Sequence, residues 1–121
     1  MPAEQQVEAV SKKLVELNPG FDGKVTPTIK NGVVTGLQFL TINVTDISPV
    51  RALTGLKSLI GTGFGVEKAK VSNLSPLEGM RLTTLHCFNN NVSELSALKG
   101  MPLVTLLCYH NSISDLSPLK N

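Results

Sequence analysis

The chain has 121 residues and a formal net charge of +2; 41% of its residues are hydrophobic, 17% charged and 4% aromatic, with no Trp. That describes one domain with a core of Leu, Val and Ile, and its scattered Lys and Arg argue against the basic patch of a nucleic-acid binder. No apolar run approaches the roughly 20 residues of a membrane span.

The first residues, MPAEQQVEAVSKKL, carry early acids and no central apolar block, so they do not read as a secretory signal. A cytoplasmic location with reduced cysteines is the expectation. Residues 3–17 predict an amphipathic helix, because Val7, Val10, Leu14 and Leu17 recur at helical spacing. Glu4, Glu8, Lys12, Lys13 and Glu16 fall mostly on other faces, and NPG at residues 18–20 stops the helix. A structural cap is the expected role, since the helix lacks the basic face of a membrane-surface helix. Two β-branched runs then flank Asn31–Gly32, a pair suited to a type I′ turn, and predict a hairpin of residues 24–29 and 33–40. Pro27 places its strand at an edge.

The rest of the chain repeats itself. VTDISPV, VSNLSPL, VSELSAL and ISDLSPL begin at residues 44, 71, 92 and 113, which lie 27, 21 and 21 apart. LTTLHCFNNNV from Leu82 also matches LVTLLCYHNSI from Leu103. The common pattern is Leu-x-x-Leu-x-Cys-x-x-Asn-x-Val/Ile-Ser-x-Leu-Ser-x-Leu. A shared phase over four copies marks a stacked-repeat architecture.

This pattern resembles bacterial leucine-rich repeats of the short internalin-like kind, with Cys at a position more often Leu. The stretch from LNPGFDGKVTP to LTGLKSL, followed by LSPLxGM, is also similar to the leader and repeats of bacterial multidomain proteins, in which such repeats often follow a Ser/Thr protein kinase domain. Two departures stand out: RAL at residues 51–53 lengthens one turn, and GTGFGVEKAK at residues 61–70 replaces a short segment with a Gly-rich loop. The chain has no Val-Ala-Ile-Lys-like strand, His-Arg-Asp loop or Asp-Phe-Gly, so a kinase connection would lie outside it.

The resemblance implies an α/β solenoid: a right-handed leucine-rich-repeat superhelix with short parallel strands. Residues 1–33 would form the cap of helix and first hairpin strand. Residues 34–121 would form about four units, starting near 34, 56, 82 and 103. The spacing points Leu82, Leu85, Cys87, Val92, Leu95 and Leu98 inward, together with their equivalents Leu103, Leu106, Cys108, Ile113, Leu116 and Leu119. Asn90 and Asn111 share one repeat position and would form an asparagine ladder satisfying turn backbone. Ile42 stands there in the first unit, so the ladder is incomplete at that point.

Period-2 alternation sends the intervening residues to the concave strand face. In order these are Gly36, Gln38 and Leu40; Ser58, Ile60 and Thr62; Thr84, His86 and Phe88; Thr105, Leu107 and Tyr109. The candidate binding residues are Gln38, Ile60, Thr84, His86, Phe88, Thr105, Leu107 and Tyr109, with the aromatic half marking an interaction surface.

LHCFNNN, residues 85–91, suggests a thiol nucleophile or a metal site. Consecutive strand residues face opposite ways, so His86 and Cys87 diverge, and zinc wants about four converging ligands. Two free, buried thiols are expected, without a Cys87–Cys108 disulfide, and neither a catalytic residue nor a metal or other cofactor. GTGFG lacks the Lys-Ser/Thr of a phosphate loop and reads as a structural loop. Asp46, Glu94 and Asp115 recur with the repeat, with Asn73 in the same place, and read as turn formers. The functional expectation is therefore a non-catalytic protein-binding module. The alternatives are a scaffold that self-associates through an open end at SPLKN, or a regulatory segment of a kinase system.

Overall fold

The structure is a computed structural model and describes residues 1–63 and 69–119. Helix α1 (Ala3–Leu17) buries Ala3, Val7, Val10 and Leu14 as one stripe. Leu17, expected on that stripe, is instead exposed. The helix ends there, and the next inward position belongs to Asn18, which is 2% exposed. Its Nδ2 donates to Leu14 O and Asp46 O, both at 2.9 Å. Its Oδ1 accepts from the Thr45 and Asp46 amides, each at 2.9 Å. One buried amide thus closes the helix and ties it to the first repeat turn, satisfying backbone groups that a helix end leaves open.

Strands β1 (Thr26–Lys30) and β2 (Val33–Leu40) pair antiparallel. Strand β1 starts two residues later than the sequence predicts, because Asp22 and Gly23 first turn the chain: the Asp22 carboxylate accepts the Lys24 amide and Gly23 has φ +80°. Asn31 and Gly32 both take positive φ, 52° and 75°, as a type I′ turn requires. Strands β3 (Ser58–Thr62), β4 (Thr84–His86) and β5 (Thr105–Leu107) then add in parallel, in the order β1-β2-β3-β4-β5. Pro27 therefore sits on an edge strand, where its missing N–H costs no ladder bond.

Each return path contains a short 3-10 turn: Ser48–Ala52, Ser75–Leu77, Ser96–Leu98 and Ser117–Leu119. Three of them open on the same ring, in which a side-chain oxygen of Asp46, Asn73 or Asp115 accepts the amide two residues on at 2.9 Å. Glu94, one methylene longer, forms no such ring. Arg51 straps two turns together through Pro76 O and Glu78 O.

The core runs continuously from α1 to the third unit. Leu82, Leu85, Cys87, Val92, Leu95 and Leu98 are all buried. Their equivalents in the fourth unit are not: Leu103, Leu106, Cys108 and Ile113 are half-buried, while Leu116 and Leu119 are exposed. The expectation of a closed interior fails there for a simple reason. A leucine-rich turn hides its apolar row only when another turn lies over it, and none of the described residues does so.

Candidate functional site: the concave strand face

Cross-strand register builds the face in columns. Gly36, Ser58, Thr84 and Thr105 align, and so do Gln38, Ile60, His86 and Leu107. Leucines 37, 59, 85 and 106 alternate with them and point the other way, into the core. The third column begins with Leu40 and Thr62. Thr62 does not reach the surface as expected; it is buried, with its carbonyl accepting the Thr41 amide at 2.9 Å.

Beyond β4 and β5 the backbone pairing continues, with the Cys87 amide donating to Leu107 O at 2.9 Å and the Asn89 amide to Tyr109 O at 3.1 Å, and these segments carry Phe88 and Tyr109. Their rings stack with centroids 4.5 Å apart and planes within 6° of parallel. His86 lies 6.2 Å from Phe88, and His110 meets Tyr109 edge-on at 5.2 Å. Asn89 and His110, one repeat apart, end these segments with φ +58° and +56°. That left-handed pair was not read from the sequence, although Asn and His are among the non-glycine residues that tolerate it best. The candidate binding residues therefore share one surface: Gln38, Thr105 and Tyr109 exposed, and Ile60, Thr84, His86, Phe88 and Leu107 half-buried.

The opposite side of the same strands faces the core. Cys87 is buried, and its surroundings push the thiol up to about 12. Desolvation is the main cause and the neighbouring Cys108 adds to it. Cys108 is raised by burial as well, yet it is half-exposed rather than buried as predicted, since it lies in the uncovered fourth unit. Both cysteines are free. High-lying thiols are poor nucleophiles at neutral pH, and His86 faces away from Cys87. The rest of the Gly-rich loop, residues 64–68, lies outside the described residues.

Behind the face, two asparagines knit the turns. Asn90 Nδ2 donates to Gly61 O and Cys87 O at 2.9 Å. Asn111 Nδ2 donates to Cys87 O and Cys108 O at 3.0 Å, and its Oδ1 accepts the Val92 amide at 2.8 Å. Asn90 Oδ1 differs: it accepts the hydroxyl of buried Thr41 at 2.8 Å. The donor that Asn111 Oδ1 finds in the Val92 amide is, for Asn90, the hydroxyl of Thr41, a partner that a search for asparagine at the repeat position cannot find.

Parallel strands one turn apart, a leucine row facing inward and asparagine rungs define a leucine-rich-repeat solenoid. No family model matches the chain and no curated protein does. Among solved structures it is similar to internalin C2 of Listeria monocytogenes, with 35% identity and a TM-score of 0.58 over 69% of this chain and 37% of that one. It is also similar in fold to the internalin InlF of the same organism, with 21% identity and a TM-score of 0.65 over 98% of this chain and 36% of that one. The chain is an internalin-like leucine-rich-repeat protein, and it spans little more than a third of the length of those two structures.

Proposed function

We propose that the chain is a non-catalytic protein-binding module that receives its partner on the concave strand face. The observation that carries this reading is the Phe88–Tyr109 stack, set beside His86 and Leu107 on an open sheet surface. Aromatic side chains present large, rigid contact area and are enriched at interface centres. One column of the face carries small hydroxyls, Ser58, Thr84 and Thr105, which leave room for a partner to reach the rings. Two free thiols support a reducing, cytoplasmic setting as part of the same proposal. A place in a Ser/Thr kinase system is supported by the resemblance of leader and repeats, and by no residue of this face.

The test is capture from native cells with the chain as bait, beside the Phe88→Asp/Tyr109→Asp double variant. Loss of the captured partner with an unchanged thermal transition supports the reading. Undiminished capture by the folded double variant rules the face out.

A second reading is an assembly role through the end of the fourth unit, favoured by the exposure of Leu116 and Leu119 there. Light scattering addresses its self-association form, since a clean monomer at high concentration speaks against it.

A further inference from the structure

The concave face is free of fixed charge. None of the residues that register and alternation place there is Asp, Glu, Lys or Arg, in a chain where 17% of residues are charged. A charged partner segment laid on this surface would lose water and find no opposite charge in return. Charge complementarity therefore calls for an uncharged occupant.

The apolar side chains also have a spacing. Ile60 and Leu107 stand two strands apart in one row, and His86 between them leans on Phe88 with ring centroids 6.2 Å apart. Leu40 and Phe88 stand two strands apart in the next row, where the intervening Thr62 is buried. Adjacent strands lie about 4.8 Å apart, and the Phe88 and Tyr109 rings lie 4.5 Å apart. A two-strand step across the face is thus about 9–10 Å. A polyproline II chain repeats every three residues, or about 9.3 Å, and matches that step. A crossing β-strand repeats every ~6.7 Å and does not. Two turns of an α-helix cover ~10.8 Å, which overshoots.

Polar groups select the same occupant. Among the described residues, the hydroxyls that donate internally are those of Ser11, Thr35, Thr41, Thr45 and Thr83. The hydroxyls of Ser58, Thr84 and Thr105, on the concave column, keep their donors for an incoming group. A proline-rich chain has carbonyl acceptors, few N–H donors and no internal hydrogen bonds, so it can use donors that a helix would not need.

We propose that the concave face binds an uncharged, proline-rich segment in the polyproline II conformation, laid across the strands with an apolar residue at every third position. This rests on the concave-face reading and names the chemistry of its partner. The apolar residues of the segment seat against Ile60 and Leu107 or against Leu40 and Phe88, and its carbonyls accept from the hydroxyl column.

The test titrates the chain with the end-capped peptide (Leu-Pro-Pro)3, with a peptide of the same composition whose leucines run together, and with a neutral oligosaccharide. The chain has one Tyr and no Trp, so its emission reports from Tyr109 on the face itself. The expected result is a saturable change with (Leu-Pro-Pro)3, about tenfold tighter than with the rearranged peptide and equal at low and high salt. Phe88→Asp should weaken it about tenfold or more. Leu40→Ser, at a position 50% exposed and so tolerant of substitution, should weaken it several-fold. No saturation by millimolar peptide, equal binding of the rearranged peptide, or unchanged affinity in both folded variants overturns the proposal. Saturation by the oligosaccharide alone overturns it in favour of a glycan. Failure here, with cellular capture still lost in the Phe88→Asp/Tyr109→Asp variant, overturns the proline-rich partner and leaves the concave-face reading standing.

Discussion

Thr41 donates its hydroxyl to Asn90 Oδ1 across 49 positions of sequence, at 2.8 Å, and both residues are buried. Thr41→Val keeps the shape and removes the donor, leaving a buried carbonyl oxygen short of its partner. The expected loss is about 1–3 kcal/mol of unfolding free energy by denaturant titration. Gly61→Ala should act on the same bond from the other side, because a Cβ there lies 3.1 Å from Thr41 Cγ2. A Thr41→Val protein as stable as the parent would show that the hydroxyl is dispensable.

Asn18 is the corresponding joint at the helix end. Asn18→Ala leaves the carbonyls of Leu14 and Asp46 and the amides of Thr45 and Asp46 without their side-chain partner. The expected cost is about 2–3 kcal/mol or more, because several buried backbone groups lose partners at once. Asn18→Asp keeps the acceptor and loses the donors, so it should fall between parent and Ala. Equal stabilities for all three proteins would refute the joint.

The thiols give an alkaline prediction. With Cys87 held up to about 12 in the fold against 9.0 ordinarily, the unfolded chain ionises first as pH rises. The contribution is therefore whole below about pH 9 and is lost between there and about 12. Cys87→Val should flatten this part of the stability–pH curve. At neutral pH Cys108 should be alkylated before Cys87, as its greater exposure requires. The reverse order, read by peptide mapping, would contradict the assignment.

At the acid end, Asp46 and Asp115 are lowered by hydrogen bonds from Ser48 and Ser117 respectively. A lowered carboxylate contributes stability above its unfolded value, near 3.8, and that contribution is lost as pH falls through the folded value. Asp46→Asn should keep the turn and remove this part of the acid sensitivity, since Asn73 already forms the same ring without charge. Identical acid transitions in parent and variant would place the sensitivity elsewhere.

How much of this was legible beforehand varied with the kind of interaction. Repeat phase places side chains by geometry alone, so the inward leucines of the third unit and the concave columns could be read from spacing. Asn18 could not: as a residue before proline it reads only as a helix stop, and its partners at Thr45 and Asp46 lie 27 and 28 positions away. Thr41 was hidden because its hydroxyl supplies Asn90 with the donor that Asn111 takes from a backbone amide, and no repeat position marks it. Thr62 was misplaced because alternation says which way a strand residue points, not how much of it is covered. Exposure in the fourth unit depends on what lies over a turn, which no pattern within that turn encodes.

The closed hairpin at one end and the half-covered turn at the other give the molecule a direction. Each repeat touches mainly its neighbours, through successive strands and successive 3-10 turns. Amide exchange should therefore run as a gradient, slowest around Leu14, Val44 and Leu56 and fastest around Thr105 and Ser117. The protein would come apart like a zip with a single slider, from the β5 end toward the helix.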